Sequence, residues 1–294
     1  MATIEERYVQ KFSKSVGWHE RGTDVFAGGV THQTRFTSPF AVYIDHADGP
    51  FKYDVDDNQI IDYVMGNGSL LMGHNPSEVV AAVNAQASRG THLGGATTHE
   101  IRYAEAVKDL MPNLERVRFT SSGTESTYLA IRLARAYTGK TKIVKFREHF
   151  HGWHDYAMVG GGTLGGIPEE TMSTMIVLPP NNISVVDKTL EENGDIAAII
   201  LEPTGSHMGN RPIEPKFLTE LREVTKKHGV ILIFDEVVTG FRASKGGAQE
   251  YYGVTPDICT MAKILGGGLP GGAVAGRADI IDMIQLREDP EFNS

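Results

Sequence analysis

Val230-Ile231-Leu232-Ile233-Phe234-Asp235-Glu236 is the most apolar run in the chain, and it stops on two carboxylates. Five apolar residues without alternation predict a strand buried on both faces, as in a parallel sheet. Working back, Pro215 to Gly229 predicts a helix with Phe217, Leu218, Leu221 and Val224 on one face and a glycine stop. Ile196 to Leu201 is a second buried-type run, ending at Glu202. Ile143-Val144-Lys145-Phe146 is a short strand, and Val117-Arg118-Phe119 leads through Ser121-Ser122-Gly123-Thr124 into a helix closed by Gly139. From about residue 115, strand, turn and helix repeat. The expected class is α/β, a mostly parallel sheet flanked by helices. Ligands of such folds gather at the carboxyl ends of the strands, where Ser121–Thr124, Glu202 and Asp235 fall.

Before residue 115 the pattern changes. Residues 1–20 predict one amphipathic helix, and residues 41–63 predict short strands broken by Asp-Gly and Asp-Asp-Asn turns, a small antiparallel sheet. Asn75-Pro76-Ser77-Glu78 predicts a helix start with a cap, followed by an apolar face in Val79–Gln86. The expected organisation is an N-terminal helix and sheet segment over 1–65 and a large α/β domain over 66–294.

Composition narrows the function. Hydrophobic residues are 40% and charged residues 22% of the 294, as in an ordinary globular chain. The net charge of −9, with no basic stripe, argues against nucleic-acid or anionic-membrane partners. Cys259 stands alone, so no internal disulfide forms, which fits a reducing compartment. The N-terminus lacks the apolar core of a signal peptide and no apolar run is long enough to span a bilayer, so a cytoplasmic location is expected. The 33 glycines cluster, at Gly160–Gly162 and Gly266–Gly268 among others, as tight turns around a ligand would require.

Three pieces carry chemistry. Ser122-Gly123-Thr124 lies at a strand-to-helix junction, where free N–H groups and the helix dipole favour an anion; alone it reads first as an ordinary helix cap. Asp235 ends the buried strand, a costly place for a carboxylate unless a positive partner such as a protonated pyridine nitrogen meets it; an N-cap or a salt bridge is the plainer alternative. Lys263 follows small and apolar residues and precedes Gly266-Gly267-Gly268 and Pro270, a stretch that suggests close backbone approach. Apolar surroundings favour the uncharged amine that a Schiff-base nucleophile needs.

Together these segments resemble the class III aminotransferases of pyridoxal-phosphate (PLP) fold type I, especially the glutamate-1-semialdehyde aminomutase branch. The landmarks run from about Phe26 onward: Gly28-Gly29-Val30, Ser122-Gly123-Thr124-Glu125, His151-Gly152-Trp153-His154-Asp155, Leu201-Glu202-Pro203, Phe234 to Arg242, and Ala262-Lys263. The resemblance implies that Lys263 forms the Schiff base and shuttles a proton, and that Asp235 pairs with the pyridine nitrogen. It implies that Val237 and Phe150 cover the two ring faces, Phe150 standing where relatives often carry tyrosine. Ser122, Gly123 and Thr124 would cradle the phosphate, Glu202 would join the cofactor site, and Arg35 would bind the substrate carboxylate, a surface salt bridge being its alternative. A homodimer is implied, with an amine or amino-acid donor and an oxo-acid acceptor. The family's C-terminal small domain is absent from this sequence, so a shortened, inactive homologue stays open.

Other readings compete. Gly160-Gly161-Gly162-Thr163-Leu164-Gly165 spells the dinucleotide fingerprint, but Pro168 follows instead of a sustained helix, so an active-site loop is expected, with a nicotinamide enzyme as the alternative. Gly139-Lys140-Thr141 has Ala134 where a P-loop needs its first glycine. His149, His151 and His154 lack a second ligand cluster, and no metal is expected. Asn67 stands where the aminomutases compared carry an aromatic residue, and His151–Asp155 resembles a branch containing D-phenylglycine aminotransferase. Transamination is therefore the expected reaction, with aminomutase and ammonia-lyase chemistry as alternatives.

Overall fold

The computed structural model describes residues 1–161 and 164–285. The chain divides into two compact units, Met1–His92 and Leu93–Ser294. This is a later division than the expected one at residue 65. His74 accounts for the difference: its backbone bridges Gly49, and its Nε2 lies 2.7 Å from Asp62, so the chain beyond 65 folds back onto the small sheet.

In the first unit the expected single helix is two, Ile4–Lys11 and Ser13–Val25, broken at Phe12. Thr3 and Glu6 form a reciprocal capping box on the first. The small sheet forms as expected, from antiparallel strands β1 (Ile44–Asp48), β2 (Phe51–Asp54) and β3 (Gln59–Ile61). The helix after Pro76 spans Ser77–Ala87, but its cap position is Pro76, because Asn75 turns to a φ of +59°. Its apolar residues Val79, Val80 and Val83 are exposed rather than packed.

The second unit is built on a seven-stranded sheet. Its strands are β4 (Arg116–Thr120), β5 (Lys142–Phe146), β6 (Met175–Leu178), β7 (Ile196–Leu201), β9 (Ile231–Asp235), β10 (Ile258–Met261) and β11 (Gly272–Gly276), in the order β4-β11-β10-β9-β7-β5-β6. The two-residue β8 (Arg211–Pro212) only bridges back to Gly205 and Ser206. β11 runs antiparallel to both neighbours, and the other pairs are parallel.

Strand side chains alternate between faces, and here both faces are apolar. Ile199, Leu201, Leu232 and Phe234 pack with Phe217, Leu218 and Leu221 of helix Pro215–His228. Ala198, Ile200, Ile231 and Ile233 pack with Ala130, Ile131 and Ala134 of helix Gly123–Thr138. Burial on both sides explains the unbroken apolar runs. Phe234 is fully buried. Phe234→Ala should destabilise the protein by about 3–5 kcal/mol, read as a lower urea midpoint at unchanged slope. A midpoint equal to that of the parent would contradict this packing.

Candidate active site

Period-two alternation also places the polar groups. Lys145 shares a strand face with Ile143, Glu202 with Ile200, and Asp235 with Ile233, all toward helix Gly123–Thr138. These three end neighbouring parallel strands, so their side chains collect at the sheet's carboxyl edge. Thr260 of β10 joins them, its hydroxyl 3.2 Å from Asp235 Oδ1.

Asp235 is buried, and three protein donors reach it. Oδ2 accepts from His151 Nδ1 at 2.7 Å, and Oδ1 accepts from the Val237 N–H at 3.1 Å as well as from Thr260. Its neighbour Glu236 is a structural group: Ala248 N–H, both Gln249 nitrogens and Thr239 hydroxyl all donate to it. Lys263 begins the short 3₁₀ turn Lys263–Gly266 after β10, at a strained φ of +49°. Burial pushes its ammonium down toward the neutral amine, against the opposing pull of Asp235 and Glu202. Tyr103 donates its hydroxyl to the Leu265 carbonyl and so anchors this turn. Behind Lys263, Gly267 and Gly268 take φ of +57° and +94°, which favour glycine, and a Cβ on Gly266 would meet no protein atom nearer than 3.7 Å.

The segment His149–Gly152 stitches these strand ends together. His149 Nδ1 accepts the Glu202 N–H at 2.9 Å, and the Phe150 N–H returns to Glu202 Oε1 at 2.8 Å. A Cβ on Gly152 would lie 2.7 Å from Thr124 Oγ1, so only glycine permits this approach. On the other side, a Cβ on Gly123 would lie 2.9 Å from Val237 Cγ2. Ser122 caps helix Gly123–Thr138 by accepting from the Glu125 N–H at 3.2 Å. The first-turn N–H groups of Gly123 and Thr124 are those a helix leaves free for an anion. Phe150 is half exposed and meets Trp153 edge-on with ring centroids 5.5 Å apart.

Ser122, Gly123, Thr124, Phe150, Glu202, Asp235, Val237 and Lys263 thus come together within the second unit. Arg35 belongs to the first unit, on the turn Gln33–Arg35, with its guanidinium 2.8 Å from Thr31 Oγ1. Of the glycine loop at 160–165, Gly162 and Thr163 lie outside the described residues. Sequence reasoning passed over Lys145, Thr127, Thr260 and Tyr103. Only Lys145 left a signal, as a lysine inside an otherwise apolar strand. Among the described residues Asp187, Glu191 and His228 also converge, but Lys227 Nζ already answers both carboxylates, at 3.0 and 3.2 Å.

Burial drives the titration of this edge. It raises Glu202 to about 8, reinforced by Asp235, and lowers Lys145 to about 8. In both groups desolvation outweighs their mutual attraction. The folded protein therefore keeps a proton on Glu202 that the unfolded chain releases, so this group's contribution to stability falls as pH rises from the ordinary carboxylate range to about 8. Lys145 acts above that window, with the opposite slope. Glu202→Gln keeps the acceptor for Phe150 and should flatten the fall in stability below pH ~8, as followed by thermal unfolding at a series of pH values. Equal slopes in the two proteins would place the proton elsewhere.

A model of the class-III aminotransferase family matches residues 33–290. The chain belongs to the class-III aminotransferases, and its fold is the PLP fold type I. It is 43% identical over 287 residues to a glutamate-1-semialdehyde 2,1-aminomutase of Persephonella marina, covering 93% of this chain and 67% of that protein. It is 45% identical over 268 residues to the enzyme of that name from Saccharolobus islandicus, covering 88% and 63%. An omega-transaminase from Sphaerobacter thermophilus superimposes with a TM-score of 0.88 at 36% identity, over 94% of this chain and 66% of that one. A transaminase solved with PLP bound gives 0.90 at 32%, over 94% and 67%. The chain spans about two thirds of the length of these relatives. Class-III aminotransferases use PLP, and the residues here fit it: a half-buried lysine beside Asp235, a glycine junction at a helix start, and an exposed ring at Phe150. Among the described residues no helix is long and apolar enough to cross a membrane.

Proposed function

We propose that this chain carries the cofactor half of a PLP-dependent aminotransferase, acting on an amino acid or related amine with an oxo acid as acceptor. The observation that carries the reading is the convergence of Lys263, Asp235 and the Ser122–Thr124 junction at one sheet edge. When bound, PLP supplies a carbonyl for imine exchange and a ring that stores the electron pair of a broken Cα–H bond.

The chain's own residues then divide the work. The N–H groups of Gly123 and Thr124, with the Ser122 hydroxyl, hold the phosphate. Val237, seated on Gly123, and the exposed ring of Phe150 provide apolar surfaces for the two faces of a flat heterocycle. Asp235 presents fixed negative charge to a ring N–H and keeps it protonated. Lys263 Nζ, pushed toward the neutral amine, accepts a proton at the substrate carbon and returns it. Glu202 ties Phe150 to β7. Arg35 suits bidentate binding of a substrate carboxylate.

Aminomutase chemistry shares the first proton transfer, and the curated relatives carry that name. Asn67 is the sequence feature that favours transamination. A homodimer and a cytoplasmic location belong to the same proposal, the former motivated by the exposed Val79, Val80 and Val83 face. The test is a single-turnover mixture of PLP-loaded chain with amines in turn, analysed for pyridoxamine phosphate and the oxo product. Release of both supports transamination; conversion of glutamate-1-semialdehyde to 5-aminolevulinate, in its place, would overturn it in favour of the mutase.

A further inference from the structure

We propose that Tyr103 is a positioning residue for Lys263: its hydroxyl, bonded to the Leu265 carbonyl, holds the turn that keeps the lysine left-handed and its amine at the carboxyl edge of the sheet. The consequence for catalysis rests on the proposed role of Lys263; the clamp itself belongs to the protein alone. Helix Thr98–Leu110 gives the tyrosine a fixed base, capped by Thr97 Oγ1, which accepts the Glu100 N–H at 3.4 Å. One turn beyond Tyr103, on the same face, Val107 is buried, and Met111 follows at the helix end. Both pack with Cys259 and Met261 of β10 and with Ala273 and Ala275 of β11, and Phe119 and Leu265 lie against the same cluster. The Tyr103 ring stacks on Phe119, with centroids 4.8 Å apart and 6° between the planes. From that seat its hydroxyl meets the Leu265 carbonyl. Burial raises the phenol to about 12, so it stays a donor at any working pH.

The backbone of Lys263 needs such a tie. At a φ of +49° it holds a conformation that a residue with a side chain keeps only where its surroundings impose it. Two bonds inside the turn contribute, from the Leu265 N–H to the Ala262 carbonyl at 3.0 Å and from the Gly267 N–H to the Ile264 carbonyl at 2.9 Å. Both are local and move with the turn. Tyr103 instead ties Leu265 to a helix packed on the sheet. The amine of Lys263 has no comparable anchor: Asp235 and Glu202 act on it by charge, without a hydrogen bond among the described residues. Its place therefore follows from the backbone that carries it. A shift of a reacting group by about 1 Å costs on the order of 10²-fold in rate.

Two variants separate the hydroxyl from the ring. Tyr103→Phe keeps the stack on Phe119 and removes only the donor, whereas Tyr103→Leu removes both. Before cofactor is added, amide hydrogen exchange over Lys263–Leu269 should quicken roughly 3- to 10-fold in both variants, as for losing one neutral hydrogen bond, with β9 and β10 unchanged. After loading with PLP, both should slow solvent exchange of the substrate Cα hydrogen by roughly 10- to 100-fold at unchanged KM for the amine. Both should also shift the pH midpoint of the bound cofactor's absorption band. The unfolding midpoint should fall clearly only in Tyr103→Leu, so that the rate follows the hydroxyl and the stability follows the ring. A merely structural tyrosine would sort them differently, with Tyr103→Phe at the parental rate and absorption midpoint. That result, or parental amide exchange over Lys263–Leu269 in both variants, would overturn the inference. Borohydride trapping of PLP on Lys263 in the same samples tests the functional reading separately: trapping in the parent with an unmoved turn in the variants sinks this inference alone, and a loosened turn with no trapping in the parent sinks that reading alone.

Discussion

Lys263→Ala is expected to abolish covalent attachment of PLP and to slow turnover by at least ~10⁴-fold, since it removes both the nucleophile and the proton carrier. The fold should survive. Lys263 lies on a short turn after β10, and truncation to alanine keeps its left-handed backbone and opens none of the packed layers. Cofactor should still bind, because the Ser122–Thr124 junction, Asp235 and Val237 stay in place. The expected result is a protein that keeps its unfolding midpoint, holds PLP reversibly and loses it on dialysis. Adding a small primary amine should restore a measurable fraction of the rate, since the missing group is an amine. An alanine variant with parental turnover would show that the lysine is structural only.

The second large effect is expected at Asp235→Asn. An amide has the shape of the carboxylate but cannot hold a ring N–H by charge. Removing a fixed electrostatic group from the site of developing charge costs ~10²- to 10³-fold. Exchange of the substrate Cα hydrogen with solvent should fall by that amount, while PLP affinity changes little. The contacts to Val237 N–H, Thr260 and His151 complicate the substitution, because the amide NH₂ must face a donor on one side. Some loss of stability should therefore accompany the loss of rate. Parental exchange rates in Asp235→Asn would reduce Asp235 to a packing group.

Both residues stand out in the sequence by type and position. The unbroken run Val230–Phe234 announced a doubly buried strand, and a carboxylate at its end had to be either paired or functional. The helix Gly123–Thr138 with its Ser122 cap and Gly139 stop followed the same local rules. The failures lie where tertiary contact overrides local pattern. Phe12 breaks the first helix although nothing in residues 1–20 marks a stop. Asn75 looks like a cap but takes a left-handed turn, leaving the cap position to Pro76. The charge arrangement beneath the site was hidden for a different reason. Lys145 and His151 lie 84 or more residues before Asp235 in sequence, and only the parallel register of β5, β7 and β9 brings these strand ends together.

If Lys263 is the lysine that holds PLP, borohydride reduction of the PLP-loaded chain, followed by peptide mapping with mass spectrometry, should give a single pyridoxyl adduct, on the peptide containing Ala262-Lys263-Ile264. An adduct on Lys145 or on a surface lysine, or a folded protein that traps none, would contradict it.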